Sequence, residues 1–216
     1  MVFQLNEKYQ FPHPDWADND GLLAVGGDLH AGRLLLAYCN GIFPWYEDDL
    51  PILWYAPKER FVLFPDHLKI SDSLKQTLRS GRFRVTYDLC FEEVIRACAG
   101  VPRKDQEGTW ITNDMQEAYI NLHNLGYAHS VEVWRENELV GGLYGVGIGN
   151  VFCGESMFSI QSNASKVALV YLCSMRNWSM IDCQIPSEHL ERMGAKLIPA
   201  NEFRKILKQT RPDESS

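Results

Sequence analysis

The spacing of apolar residues predicts a regular α/β unit from about residue 60 onward. Several segments repeat apolar side chains at helical spacing, and one such series consists of Phe91, Val94, Ile95 and Cys98. Asp88 precedes that series and is the expected N-cap of the helix. Other segments are short, apolar and bounded by turn residues, as strands are. The predicted order is β-α-β-α-α-β-β-β-α-β-α-β-α, a mixed sheet with helices on its faces.

The first 60 residues differ from the rest of the chain in their residue pattern. Aromatic residues recur next to prolines there, and residues 11–28 are too rich in Pro, Gly and Asp to form one regular element. A short strand-like run follows Gly21, and apolar spacing predicts a helix over 30–40. We therefore expect a small N-terminal domain over residues 1–60 and a larger domain over residues 61–216.

Three predicted strands, 129–134, 139–148 and 151–158, form an antiparallel meander with a tight turn at Gly149 and Asn150. A nearly all-apolar helix, 167–175, follows through a polar turn and must be buried. This layout resembles acyltransferases of the N-acetyltransferase (GNAT) type. The predicted class is α/β (α+β), with a mixed, mostly antiparallel sheet flanked by helices.

One charge, Glu155, interrupts the glycine-rich, apolar run of the meander. A carboxylate inside an apolar strand is costly unless it is paired or reaches water. Glu155 could mark the solvent face of an edge strand, or it could lie at the mouth of a pocket floored by Phe152, Met157 and Phe158. Composition alone leaves both interpretations open.

A second polar pair, Asp182 and Gln184, lies in the strand that follows the buried helix. Their i, i+2 spacing predicts that both side chains emerge on the same face, near Glu155. The pair fits an active site, but a buried structural hydrogen-bond network would give the same pattern. The proximity of Glu155 favours the active site.

Charge and composition narrow the function. The net charge of −7 argues against a generic nucleic-acid binder, yet residues 58–104 carry ten basic and six acidic side chains. That segment could bind phosphate or could simply be a solvated face. No apolar run approaches the roughly 18 residues of a membrane span, and no secretory signal pattern is present. Six cysteines without a C-x-x-C and six scattered histidines predict neither disulfides nor a metal site, so a cytoplasmic protein is expected.

Eight ordered motifs give the chain a specific resemblance. They are Gly21–Leu29, Gly41–Trp45, Gly108–Thr112, His129–Trp134, Gly141–Val146, Gly154–Ser159, Asn163–Lys166 and Ile181–Gln184. Together they resemble the leucyl/phenylalanyl-tRNA–protein transferase family over residues 11–204. The resemblance implies transfer of Leu or Phe, and less well Met, from aminoacyl-tRNA to proteins with N-terminal Arg or Lys, which marks them for degradation. Leu-tRNA and Phe-tRNA are the expected RNA partners. The resemblance further implies a monomer without metal or coenzyme.

The resemblance also implies roles for individual residues. Asp182 and Gln184 would orient and activate the attacking amine, with Glu155 beside the reacting groups. The 3′ adenosine would be held by Tyr38, Trp45 and Trp110. The pocket for the transferred side chain would be lined by Leu143, Phe152, Met157, Leu172 and Ile181. Contacts to tRNA are expected from Lys69, Lys75, Arg79, Arg82 and Arg84.

Two other functions fit parts of the sequence. A GNAT-type acetyltransferase using acetyl-CoA would fit the layout, but the pyrophosphate-binding pattern Q/R-x-x-G-x-G/A is missing before the buried helix. An RNA-binding module without transferase activity would fit the basic segment and the aromatic residues. The first would bind coenzyme A tightly, and the second would bind tRNA without transferring an amino acid.

Overall fold

A computed structural model describes residues 2–47, 50–101, 111–175 and 177–209 of the 216-residue chain. The N-terminal part contains a small four-stranded sheet in the order β1-β2-β4-β3, with one helix. Its elements are β1 (Phe3–Leu5), β2 (Leu22–Gly26), α1 (Ala31–Cys39), β3 (Phe43–Pro44) and β4 (Leu53–Tyr55). β1 runs parallel to β2, and the other pairs are antiparallel.

A seven-stranded sheet forms the larger part, in the order β11-β5-β10-β9-β8-β7-β6. Its strands are β5 (Glu59–Leu63), β6 (Arg84–Tyr87), β7 (Ala128–Arg135), β8 (Glu138–Ile148), β9 (Val151–Ser159), β10 (Met180–Gln184) and β11 (Lys196–Pro199). β9 and β10 pair in parallel, and every other neighbouring pair is antiparallel. The mixed, mostly antiparallel sheet predicted from the sequence is confirmed.

Among the residues that the structure describes, six α-helices flank this sheet. They are α2 (Asp72–Arg79), α3 (Phe91–Ala99), α4 (Asn113–Asn124), α5 (Ala164–Ser174), α6 (Glu188–Arg192) and α7 (Ala200–Gln209). The meander β7-β8-β9, the buried helix α5 and the strand β10 follow one another as predicted. In the described ranges, no helix has the length and apolar character that crossing a membrane requires.

Two apolar clusters cover the two faces of the large sheet. One joins α3 and α4 to the N-terminal sheet and α1, so that Trp54 and Tyr38 share a core with Tyr119 and Phe203. The other lies under α2 and α5. α5 packs closely on β8 because Gly141 has no side chain; a Cβ there would lie 2.4 Å from that of Ala164. The division at residue 60 stays a prediction.

Ser71, Thr112 and Ser187 cap α2, α4 and α6, since each side chain accepts a hydrogen bond from a first-turn N–H group. The predicted cap at Asp88 was wrong. α3 begins at Phe91 without a side-chain cap. The Asp88 carboxylate instead accepts the N–H of Ser130 at 2.7 Å and contacts a ring nitrogen of His129. These long-range contacts to β7 replace the local one.

Candidate active site

A bulge in β9 determines where Glu155 points. Tyr144 pairs with Ser156 and Gly145 pairs with Gly154, so Glu155 is an extra residue that has no pairing partner on β8. A bulge reverses the alternation of side chains beyond it. Gly145 allows β8 and β9 to approach each other closely at the bulge, because a Cβ there would lie 2.2 Å from the carbonyl oxygen of Cys153.

The bulge brings Phe152 and Met157 to the same cavity, although they are five positions apart and a regular strand would point them to opposite faces. This cavity, the acyl pocket, has a volume of about 270 Å³. All five predicted pocket residues line it: Leu143, Phe152, Met157, Leu172 and Ile181. Leu169, Leu190 and His189, which the sequence interpretation missed, also form part of the wall.

Glu155 lies at one end of the acyl pocket in a buried hydrogen-bond network and is only 9% exposed. Its Oε1 accepts a hydrogen bond from the side-chain amide of Gln184 at 2.6 Å. Its Oε2 accepts one from the hydroxyl of Tyr119 at 3.2 Å. The Tyr119 hydroxyl in turn bonds to that of Tyr38. The interpretation of Glu155 as an exposed edge-strand charge is therefore wrong.

Burial raises the pKa of Glu155 to about 7 because a charged carboxylate loses its hydration there. Hydrogen bonds from Tyr38, Gln184 and Tyr119 oppose this rise, and the negative charge of Asp182 adds to it. Burial, with the charge of Glu155 second, also raises the pKa of Tyr38 and Tyr119, so both phenols stay protonated. Glu155 can therefore gain or lose a proton near neutral pH.

Asp182 is fully buried and forms an ion pair with Arg60 of β5. The guanidinium donates to both carboxylate oxygens, at 2.8 and 2.7 Å. It is held between the rings of Phe43 and Phe203, whose centroids lie 4.5 and 4.8 Å from its central carbon. Asp182 therefore keeps a buried cation in place and is not a free carboxylate.

The regular strand spacing from which a shared face was predicted for Asp182 and Gln184 is interrupted between the two residues. A second irregularity, at Cys183, places Asp182 opposite Val62 but Gln184 opposite Phe61 of β5. Gln184 has a φ of +60°. Asp182 accepts the backbone N–H of Gln184 at 2.9 Å, whereas the side-chain amide reaches Glu155. Glu155, and not Asp182, orients the amide.

An aromatic cleft adjoins the other side of Glu155. Its inner part, about 160 Å³, is lined by Glu155 and Gln184 together with Phe43, Pro44, Trp45, Cys183 and Ile185. Its outer part adds Tyr55 and the carboxylates of Asp20 and Glu59. Trp45 is half-buried and lines both parts.

Tyr38, a second predicted adenosine contact, does not line this cleft. Tyr38 is 1% exposed and bonds to Tyr119, so its ring has no face free for a base. Trp110 lies outside the described residues. Of the predicted adenosine contacts, Trp45 alone among the described residues therefore lines the cleft.

The five basic residues predicted to contact tRNA are all exposed, on α2, β6 and the segments that precede each of them. Three have protein partners: Lys75 pairs with Asp72, Arg82 donates to the carbonyl of Ser162, and Arg84 lies over the ring of Trp134. Arg60, counted in the basic segment, is instead buried beside Asp182. The surface charge of that segment is thus lower than its composition suggests.

In the buried hydrogen-bond network around Glu155 and Asp182, the sequence interpretation missed Arg60 and Tyr119. Arg60 is the second residue of β5 and Tyr119 continues the apolar stripe of α4, so local patterns give both an ordinary structural role. The sequence did offer one indication of such residues. Two carboxylates that are buried, those of Glu155 and Asp182, require a hydrogen-bond donor and a cation nearby.

Solved structures resemble this chain weakly. A functionally unknown conserved protein from Staphylococcus epidermidis aligns with a TM-score of 0.47 at 10% identity, over 82% of this chain and 68% of its own. A GCN5-related N-acetyltransferase from Kribbella flavida aligns with a TM-score of 0.39 at 10% identity, over 79% of this chain and 61% of its own.

Sequence comparisons are much closer. Family profiles described as leucyl/phenylalanyl-tRNA protein transferase and its N-terminal domain match residues 62–208 and 27–58. The leucyl/phenylalanyl-tRNA–protein transferase of Syntrophus aciditrophicus is 56% identical over 97% of this chain and 89% of its own length. That of Syntrophobacter fumaroxidans is 54% identical, over 98% and 92%. The chain therefore belongs to the leucyl/phenylalanyl-tRNA–protein transferase family of aminoacyltransferases, as its motifs predicted.

Proposed function

We propose that this protein transfers Leu or Phe, and less well Met, from aminoacyl-tRNA to the α-amine of cytoplasmic proteins that begin with Arg or Lys, marking them for degradation. One observation carries the proposal: Glu155 lines both the apolar acyl pocket and the aromatic cleft. An aminoacyl ester bound with its side chain in the pocket would hold its carbonyl beside a group that can move a proton.

The walls of the acyl pocket support a choice among apolar side chains. The pocket is lined mainly by aliphatic and aromatic residues, and Met157 at its edge is flexible and half-buried. Side chains unbranched at Cβ, such as those of Leu, Phe and Met, extend into such a pocket. β-branched Ile and Val widen at the entrance and fit poorly, for a penalty of about 1–3 kcal/mol.

Little chemical activation is needed, because an aminoacyl ester is already reactive and the enzyme mainly aligns the amine with the carbonyl. The described residues contribute no hydrogen-bond donor to Oε1 of Gln184, so this oxygen can accept one from the incoming amine. The amine nitrogen attacks the ester carbonyl, and Glu155 accepts a proton from it. When the bond to the 3′ oxygen breaks, that oxygen takes the proton and Glu155 is regenerated.

Asp182 acts in this scheme as a positioning residue. It accepts the backbone N–H of Gln184, and its charge is already matched by Arg60. The strained backbone at Gln184 is thereby held so that the amide meets Glu155. We assign Tyr38 a similar indirect role through Tyr119, since its hydroxyl lies behind Glu155.

The aromatic cleft is where we place the adenosine and the acceptor. The half-buried ring of Trp45 is available for stacking on the 3′ adenine, which is typically worth about 1–3 kcal/mol. Asp20 and Glu59 in the outer cleft would favour an acceptor whose first side chain is cationic. Trp110 remains a predicted adenosine contact, and Lys69, Lys75, Arg79, Arg82 and Arg84 remain predicted tRNA contacts.

A direct transfer assay tests the proposal. The protein is incubated with Leu-tRNA and two peptides that differ only in beginning with Arg or Ala, and the products are read by mass spectrometry. We expect Leu to be added to the Arg peptide alone, with Phe-tRNA also used and Ile-tRNA used poorly. A folded protein that yields no Leu-Arg product would overturn the proposal.

A further inference from the structure

Four aromatic rings lie in a row on one face of the large sheet, and the row begins at the acyl pocket. The rings belong to Phe152 of β9, Trp178 of the segment before β10, His129 of β7 and Tyr87 of β6. Phe152 lines the acyl pocket, whereas the other three side chains lie behind it. We call this set of residues the ring row.

Two glycines of β8 make room for the ring row. Gly145 and Gly147 are two positions apart, so both lack a side chain on the same face of the sheet. A Cβ at Gly145 would lie 2.6 Å from the ring of Phe152. A Cβ at Gly147 would lie 2.9 Å from the ring of Trp178 and 3.5 Å from that of His129. The rings can therefore lie directly on the backbone of β8.

Trp178 packs against Phe152 from outside the acyl pocket. The two ring centroids are 5.3 Å apart and the ring planes are inclined by 64°, which is an edge-to-face contact. Among the residues that the structure describes, Trp178 is the one aromatic side chain in ring contact with Phe152. The position of the Phe152 ring in the pocket wall thus depends on the indole behind it.

The far end of the ring row is fixed in place. The ring of His129 lies 6.2 Å from that of Trp178 and stacks on Tyr87 at 5.5 Å. Nδ1 of His129 is 2.7 Å from one oxygen of Asp88, whose other oxygen accepts a backbone N–H of β7 at 2.7 Å. Because His129 is tethered to Asp88, Trp178 is enclosed between a fixed ring and Phe152.

Hydrogen bonding does not account for a tryptophan at position 178. Its Nε1 is buried and has no hydrogen-bond partner among the described residues. A buried donor without a partner is destabilising. The contribution of Trp178 is therefore the volume and shape of its ring.

We propose that Trp178 is a positioning residue for acyl selectivity, which holds the ring of Phe152 in the pocket wall and thereby excludes side chains larger than that of Phe. This inference rests on the proposed function, in which the acyl pocket holds the transferred side chain. A wall discriminates by size only if its side chains cannot retreat, and close packing behind the wall prevents a retreat. Without the indole, Phe152 turns into the vacated space and the pocket admits a bicyclic side chain such as that of Trp.

The test compares Trp178→Ala with Trp134→Ala, which truncates another half-buried tryptophan of the same domain. Trp134 lies outside the ring row and the acyl pocket, and its indole N–H donates to Thr86. The donors are 3′-leucyl-, 3′-phenylalanyl- and 3′-tryptophanyl-adenosine, so that differences between tRNAs do not enter, and the acceptor is an Arg-initiated peptide. Relative to the leucyl donor, kcat/KM for the tryptophanyl donor should rise about tenfold in Trp178→Ala. Trp134→Ala should keep the wild-type ratios.

A conservative variant, Trp178→Phe, keeps a ring behind Phe152 and removes the unpartnered N–H. It should shift the same ratio in the same direction by a smaller factor, and it provides the test if Trp178→Ala does not fold. Unchanged ratios would overturn the inference, as would an equal shift in Trp134→Ala. A loss of kcat that is the same for all three donors would assign Trp178 a merely structural role and would also overturn it.

Binding supplies a readout that does not require transfer. Unreactive 3′-amide analogues of the three donors are titrated by calorimetry, and the ratios of their Kd values should shift as the ratios of kcat/KM do. If the Kd ratios shift but the wild type forms no Leu-Arg product, the proposed function alone is overturned. If product forms and the Kd ratios stay constant, the inference alone is overturned. A wild type that binds none of the analogues would overturn both.

Discussion

The acyl pocket and the polar network beside it share Glu155 but are stabilised in different ways. The pocket wall is a set of apolar side chains that can each change size at a modest cost. The polar network consists of Arg60, Asp182, Gln184, Glu155, Tyr119 and Tyr38, all of them buried. Each of its polar groups depends on a particular partner, because an unpaired buried charge is far more costly than a small cavity.

We therefore expect the pocket wall to determine amino-acid selectivity and the polar network to determine stability and activity. Changes in the wall should alter which amino acid is transferred, in graded steps. Changes in the polar network should remove stability or activity outright, because one substitution leaves another group unpaired. The two regions can therefore be tested independently.

The largest effect is expected from Asp182→Ala, which leaves the Arg60 guanidinium buried without its counter-ion. Such a loss typically costs about 3–5 kcal/mol of the free energy of unfolding, measurable by urea denaturation. Glu92→Ala is the matched control, because it breaks an ion pair with Arg96 whose side chains are 55% and 62% exposed. That change should cost under about 1 kcal/mol. Similar losses for both variants would show that burial does not set the cost.

A smaller effect is expected from the titration of Glu155. Its pKa is about 7 in the folded protein and near 4.5 when exposed, so the folded state binds the proton more tightly. The stability of the wild type should therefore fall as the pH rises from about 4.5 to 7, by roughly 3 kcal/mol from this group. Glu155→Gln removes the titration. Urea denaturation of both proteins at pH 5 and pH 8 should show a difference that changes with pH, and a constant difference would contradict the assignment.

A still smaller effect, on amino-acid selectivity, is expected from a change in the wall of the acyl pocket. Met157→Ala enlarges the acyl pocket and should weaken discrimination among Leu, Phe and Met, shifting the ratios of kcat/KM by about tenfold, or roughly 1.4 kcal/mol. Competition between the charged tRNAs measures this directly. Met175→Ala is the control, since Met175 is also half-buried and packs on the same apolar cluster but does not line the pocket. Selectivity that is unchanged in Met157→Ala would locate the pocket elsewhere.

The smallest effect should come from the exposed charges of the outer cleft. Asp20→Asn combined with Glu59→Gln should raise KM for an Arg-initiated peptide a few-fold, because exposed ion pairs contribute under about 1 kcal/mol. KM for Leu-tRNA should stay the same. Glu138→Gln, an exposed acid at the start of β8, serves as the control. A rise in KM for Leu-tRNA with no change for the peptide would assign these acids to the donor side.

Much of the fold follows from local sequence. The four apolar residues of the α3 series are all buried, and Ser71 and Thr112 directly precede and cap their helices, as Ser and Thr commonly do. The error at Asp88 has a clear reason. Its carboxylate bonds to Ser130, 42 residues away, and no local pattern reports a contact across two strands.

Less of the candidate site than of the fold could be predicted from local sequence. Periodicity would have placed Phe152 and Met157 on opposite faces, and it did place Asp182 and Gln184 on one face, because neither bulge has a local signature. The pocket residues came from the family resemblance instead. The Arg60–Asp182 pair joins residues 122 positions apart, on strands that become neighbours only when the whole sheet forms.

The bulge at Glu155 makes chain length part of the site. Deleting one residue between Cys153 and Ser156 would allow β8 and β9 to pair regularly. The pairing of β9 with β8 would not be weakened by the deletion. Every side chain beyond the deletion would then turn over: Met157 would leave the acyl pocket, and Phe158 would enter it from the opposite core. A one-residue deletion here would thus exchange the lining of the pocket while leaving the composition of the strand almost unchanged.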